Sequence, residues 1–263
     1  MKSVNSFLRF LTVGAWTAID KDAQNDHGQS RWQPLAILVA VCAAMILNRY
    51  FGSRESLNDF FTHDAAVYSV QQWDLLRLLW WCGWRLIDYV LIPSIVIALL
   101  PGERIRDYFL SARGFLKHLP IYVVLYAIVA PCVYLVSDNP GFLHRYPYYP
   151  HARDSLQAFL LWELIYGAQF VALEFFFRGF MLRGLRPFFG HRAIFVMIVP
   201  YCMIHLGKPL PESLGSIVAG IALGTLAMRT KSIWGGAIIH IAVAATMDAM
   251  AIAHCVSNPR FNC

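Results

Sequence analysis

Glu174 and Arg178 stand one helical turn apart in the run Leu173-Glu174-Phe175-Phe176-Phe177-Arg178-Gly179, and two histidines, His205 and His240, follow in later apolar stretches. A carboxylate and two imidazoles that meet can hold a water molecule, take its proton and stabilise an oxyanion, the elements of hydrolysis. Full charges within hydrocarbon are costly unless paired or turned toward a water-filled cavity. The ionisable residues in the apolar runs are therefore where chemistry is to be sought: Arg77, Arg85, Asp88, Glu163, Glu174, Arg178, His205, His240 and Asp248. Glu174 and Arg178, at i and i+4 with the acid first, form a favourable intrahelical pair, which assigns Arg178 chiefly to counter-charge. Arg85 and Asp88 are also one turn apart and are expected to neutralise each other, while Arg77 and Glu163 are expected near the outer interface, solvated. A single histidine is as well explained by packing; the shared depth of the two singles them out.

The elements that must carry these residues follow from composition. Hydrophobic residues make up 58% of the chain and charged ones 14%, and the mean hydropathy is +0.50. These values exclude an ordinary soluble domain and predict an all-α, multi-pass transmembrane helical bundle. Apolar runs long enough to span a bilayer cover about 34–51, 75–100, 119–137, 156–185, 191–206, 213–229 and 233–255, about seven spans. At about 1.5 Å per residue, Glu174 lies about 16 Å from the cytoplasmic end of its run, His205 about 21 Å and His240 about 10 Å, so three helices bring the groups to the middle layer.

Lys2, Arg9, Lys21 and Arg31, then Arg104, Arg106, Arg113 and Lys117, then Arg183, Arg186 and Arg192, then Arg229 and Lys231 fall on one side of these spans. Arg54, Arg145, Arg153, Lys208 and Arg260 fall on the other. That asymmetry predicts a cytoplasmic N-terminus and an external C-terminus. The same distribution explains the formal charge of +6 without a nucleic-acid module. Three units are expected: a polar, amphipathic segment 1–32, a transmembrane domain 33–258 with its motif-bearing core at 155–250, and a tail 259–263. In the first, Val4, Phe7, Leu8 and Leu11 have helical spacing suited to a membrane surface. Arg9 interrupts its apolar stretch and no small-residue cleavage site follows, so it reads as retained rather than as a signal peptide.

Helix breakers agree with the boundaries, Pro101-Gly102 after the second run and Pro187 after the fourth. The loop from Asn139 to Pro150, rich in Tyr and Pro, is expected to lie along the outer headgroup layer. The six cysteines form no CxxC pair, so they read as packing residues, with Cys255 and Cys263 able to pair in an oxidising compartment. Ser216, Gly220 and Gly224 put small residues every fourth position, a face for close helix packing.

The runs Glu174-Phe175-Phe176-Phe177-Arg178-Gly179 and Tyr201-Cys202-Met203-Ile204-His205, followed by His240, resemble the three motifs of the CAAX-protease and bacteriocin-processing (Abi) family of intramembrane proteases. In that family a Glu-Glu-x-x-x-Arg, a Phe-x-x-x-His and a His-x-x-x-Asn motif lie on successive helices. The resemblance covers residues of about 155–250, with order and spacing kept. It departs at three positions, where Leu173 stands for the first glutamate, Tyr201 for the aromatic and Ala244 for the asparagine.

The resemblance implies an intramembrane endopeptidase acting on a membrane-associated or lipid-anchored substrate in a prokaryotic cytoplasmic membrane. Glu174, His205 and His240 would be catalytic, with Arg178, Tyr201 and Asp248 supporting. Glu174 would accept the proton of the water, and Asp248, two turns beyond His240 and rotated by only about 80°, would supply the polar group that Ala244 lacks. The departures equally suit a catalytically inactive scaffold or immunity-type protein that binds a membrane peptide. Buried Asp88, Glu174 and Asp248 would suit a proton-coupled transporter, but no inverted repeat accompanies them. No cofactor is implied; a carboxylate with two histidines would also suit zinc, although no HExxH spacing is present. Lys208 and Glu212 are expected either to contact substrate or to pair with each other.

Overall fold

A computed structural model describes residues 13–26 and 29–257, and among these the regular elements are all helical. Helix α1 is Val13–Gln24, α2 Gln33–Tyr50, α3 Val70–Leu99, α4 Leu119–Val136, α5 Leu156–Glu174, α6 Gly184–Phe189, α7 Ala193–Met203, α8 Leu210–Thr230 and α9 Trp234–Ser257. The amphipathic positions Val4, Phe7, Leu8 and Leu11, and the tail with Cys263, lie outside the described residues. Local chemistry sets several boundaries. Ser69 and Gln72 form a reciprocal capping box at the start of α3, and Ser155 caps α5 by accepting the Ala158 N–H. Lys231 ends α8 in the left-handed conformation.

Among the described residues six stretches are long and apolar enough to cross a membrane, where sequence predicts about seven. The fourth and fifth runs lie in one helical stretch, Leu156–Met203. It is not a single rod, because at Gly190 (φ +56°) the chain turns and α7 packs back on the segment that follows α5. Helix α7 has 11 residues, about 16 Å, too short to cross alone.

The core forms where this folded-back segment meets α2, α3 and α8. Phe176, Phe177, Phe180 and Leu182 are fully buried there, against Tyr89, Ile37, Ile194 and Met197. The predicted small-residue face serves this packing. A Cβ on Gly220 would stand 3.0 Å from Ile198 and one on Gly224 3.2 Å from Met197, so the bare backbone of α8 lets α7 approach closely. A second cluster joins α9, α5 and the loop before α5 through Trp162, Tyr166, Tyr148 and Phe142.

Expectations about buried groups are corrected here. Arg85 and Asp88 do not pair: Asp88 accepts a hydrogen bond from Asn48 Nδ2 (2.9 Å), and Arg85 donates to the Tyr89 hydroxyl. The π-helical turn at Ile87–Leu91 changes the angular spacing of these positions, so one-turn arithmetic fails there. In the loop of Tyr and Pro residues the rings turn into the protein. Tyr146, Tyr148 and Tyr149 are buried, with Tyr148 packed on Trp81, Trp162 and Tyr166, Tyr149 on Trp162, and Tyr146 on Phe142. Glu163, expected in solvent, turns instead toward Asp248.

Helix α1 is clamped to the bundle by charge. Asp20 accepts the His191 N–H and contacts its ring nitrogen at 2.8 Å, Asp26 pairs bidentately with Arg186, and Trp16 donates to Thr225. Burial raises the Asp20 carboxyl pKa, but the bonds from His191 outweigh it and hold the group below its ordinary value. A carboxyl with a lowered folded-state pKa stabilises the fold above its unfolded pKa and loses that contribution as pH falls through the lowered value. Asp20→Asn should therefore lower the thermal midpoint at neutral pH by a few degrees, with the difference vanishing in acid, as followed by thermal unfolding in detergent at a series of pH values.

Candidate active site

Glu174 is the last residue of α5, and its side chain is fully buried. The next nine residues, Phe175–Arg183, follow the wider π-helical path, which is uncommon at this length and often marks a functional site. Within it Phe176, Phe177, Arg178 and Phe180 all have no exposure, so the guanidinium is confined with the carboxylate. Arg178 Nη1 lies 3.0 Å from Glu174 Oε1, and the guanidinium stands 4.2 Å from the centre of the Tyr201 ring. The aromatic face thus takes the side of the cation that the carboxylate leaves open.

His240, on α9, brings Nδ1 to 2.8 Å from the same Oε1 of Glu174. Its Nε2 lies 2.9 Å from the Tyr201 hydroxyl, and Phe170 stacks on the ring at 5.5 Å. The contacts of Arg178 and His240 with Glu174 are ion-pair contacts by distance; neither N–H is aligned well enough for a formed hydrogen bond. The approach depends on a bare backbone, since a Cβ on Gly236 would stand 2.1 Å from Glu174 Oε2.

His205 follows the end of α7. Its Nδ1 lies 2.8 Å from the Tyr201 carbonyl oxygen, and the two rings are 4.8 Å apart. A carbonyl only accepts, so Nδ1 carries the proton and Nε2 keeps its lone pair. Tyr201 is the hub of the arrangement, touching Arg178 with its ring, His240 with its hydroxyl and His205 with its carbonyl.

The two imidazoles share the wall of a cavity of about 120 Å³. Leu173, Ala244, Phe170 and Gln169 adjoin them, whereas Glu174, Arg178 and Tyr201 stand behind that wall. Lys208 and Glu212, also on the wall, pair with each other at 2.6 Å, and Tyr146 donates its hydroxyl proton to Glu212 at 2.7 Å. Burial, and next the Glu212 charge, hold the Tyr146 phenol far above its ordinary pKa, so it stays a donor.

Five of the six residues singled out from sequence come together: Glu174, Arg178, Tyr201, His205 and His240. Asp248 does not join them. It is fully buried two turns along α9, where Oδ1 accepts the Tyr148 N–H and Oδ2 the Trp162 indole N–H, both at 3.0 Å. Its work is to fasten the aromatic loop that forms one side of the cavity. Among the described residues no three His, Cys, Asp or Glu side chains converge as a metal-ligand set. Sequence reasoning passed over Gly236. The Gly235-Gly236 pair one turn before His240 was the available signal for a close approach.

No curated protein and no solved structure matches the chain. Residues 155–246 match the family model for type II CAAX prenyl endopeptidase Rce1-like proteins. The match begins at the cap of α5 and ends in α9, so it contains the carboxylate, the arginine, Tyr201 and both imidazoles, and over that segment the chain is similar to the CAAX-protease family.

Proposed function

We propose that this protein is an intramembrane endopeptidase that hydrolyses a peptide bond of a membrane-associated or lipid-anchored substrate. The observation that carries the reading is the cavity wall on which His205, from the turn after α7, and His240, from α9, face one volume with a buried carboxylate behind the second. The family match supports the reaction class, and the six apolar stretches support a substrate met at the bilayer. The resemblance adds the prokaryotic cytoplasmic membrane as the place.

In this reading His205 is the acceptor for the proton of the attacking water. Leu173 occupies the wall position for which the resemblance implies a first glutamate, and Glu212, on the same wall, is already taken by Lys208 and Tyr146. His205 keeps a free lone pair on Nε2, because its other nitrogen is anchored to a backbone carbonyl. Water oxygen bonds to the carbonyl carbon, its proton passes to His205 Nε2, and the carbonyl electron pair moves to oxygen. His240 stabilises that oxygen by turning its Nε2 from the Tyr201 hydroxyl toward it. Collapse breaks the C–N bond, and His205 returns the proton to the leaving amine. Glu174 acts through His240: closed off from the cavity, it orients the imidazole, with Arg178 balancing the carboxylate.

Three substitutions test the reading, each with cleavage of a reporter peptide by detergent-purified protein. His205→Ala should lower kcat by about 10²–10⁴-fold, the range of a lost general base. Glu174→Gln should lower it by about tenfold or more, since it removes the charge beside His240. Wild-type turnover in both variants would sink the assignment. Gly236→Ala should cost about 1–3 kcal/mol of stability and also slow cleavage, because its methyl group takes the place of Glu174 Oε2. Gly215→Ala, where a Cβ meets nothing within 4 Å, should change neither.

A further inference from the structure

Arg85 and Arg145 line the cavity together with His205 and His240, and both lie outside the segment matched by the family. Arg85 comes from α3. Its guanidinium rests 4.9 Å from the Trp81 ring and 5.2 Å from the Tyr89 ring, and Nη1 donates to the Tyr89 hydroxyl at 2.5 Å. Arg145 comes from the aromatic loop and lies 5.1 Å from the Tyr148 ring. Ring faces thus hold the two planes and leave edges of each fork unclaimed.

Among the described residues no carboxylate lies within ion-pairing distance of either group. Asp88, near Arg85 on α3, is fully buried and bonded to Asn48, and Glu212 is occupied by Lys208 and Tyr146. The Nε atom of each arginine is buried without a hydrogen-bond partner. The cavity wall therefore carries Arg85, Arg145 and Lys208 against Glu212 alone. Partly desolvated guanidinium groups without a counter-charge are costly, and the groups that match their fork are carboxylate and phosphate, bound bidentately.

We infer that Arg85 and Arg145 form an anion subsite of this cavity, which takes a carboxylate or phosphate group. The free C-terminal carboxylate of a peptide and the phosphodiester of a lipid headgroup offer that chemistry. At about 120 Å³ the cavity is small beside ligand pockets of about 300–1,000 Å³, so it admits the tip of a molecule and not the middle of a chain. If the tip is a peptide terminus, the subsite fixes how far from the C-terminus the bond is cut; that consequence rests on the endopeptidase reading, while anion binding does not.

The test measures binding to the full chain carrying His205→Ala, so hydrolysis plays no part in the readout. A dansyl-labelled apolar pentapeptide is titrated with a free C-terminal carboxylate and as its amide. Phosphatidylcholine vesicles with and without phosphatidylglycerol are tested as competitors. The charged probe of at least one kind should act about tenfold more strongly than its neutral counterpart, and Arg85→Gln and Arg145→Gln should each remove most of that preference. Arg85→Lys and Arg145→Lys should retain part of it, and the thermal midpoint of each variant separates lost binding from lost folding. Preference for the acid peptide identifies a peptide terminus as the ligand, and competition by phosphatidylglycerol alone identifies a lipid phosphate. Equal action of charged and neutral probes, or a preference unchanged in both folded Gln variants, would overturn the subsite.

Discussion

The buried charge of Glu174 is the constraint around which the core is arranged. A carboxylate removed entirely from solvent costs several kcal/mol unless its surroundings return that energy. Here Arg178 and His240 both approach one oxygen, from the same helical segment and from α9. Each partner is held in turn, Arg178 by the Tyr201 face and His240 by the Tyr201 hydroxyl and the Phe170 ring. Removing one member would leave another charge buried without compensation, which is why the group acts as one unit.

That unit explains the backbone around it. The π-helical path after Glu174 turns three phenylalanines and the arginine inward, at a cost in regular hydrogen-bond geometry that their burial offsets. Gly236 admits the carboxylate to the surface of α9, and the small residues of α8 let α7 come close enough to present Tyr201. Outside the unit, Asp248 repeats the device on a smaller scale. Its two oxygens tie a loop amide and an indole, and the aromatic loop is thereby drawn in over the cavity.

Much of this was legible in the chain. Composition and the apolar runs determined a helical membrane protein, because the hydrocarbon layer demands internally satisfied backbone and tolerates few charges. For the same reason Glu174, Arg178, His205 and His240 stood out as residues needing justification, and counting residues along the runs placed them at similar depth. The small-residue stripe was legible too, since only close packing explains it.

What the sequence could not carry was direction around each helix axis and the path of the chain between helices. Arg85 and Asp88 look like a pair until the π-helical turn alters their angular relation, and Asp248 looks like a neighbour of His240 until a loop 100 residues earlier claims it. The fourth and fifth runs look independent along the chain, whereas the turn at Gly190 packs the second back on the first. Tertiary packing alone decided that Leu173 faces the cavity while Glu174 faces away from it, for adjacent residues on a helix point about 100° apart. The sequence by itself determined which charges had to be buried; only the assembled bundle decided which of them meets the cavity, because that depends on rotation and contact between segments far apart in the chain.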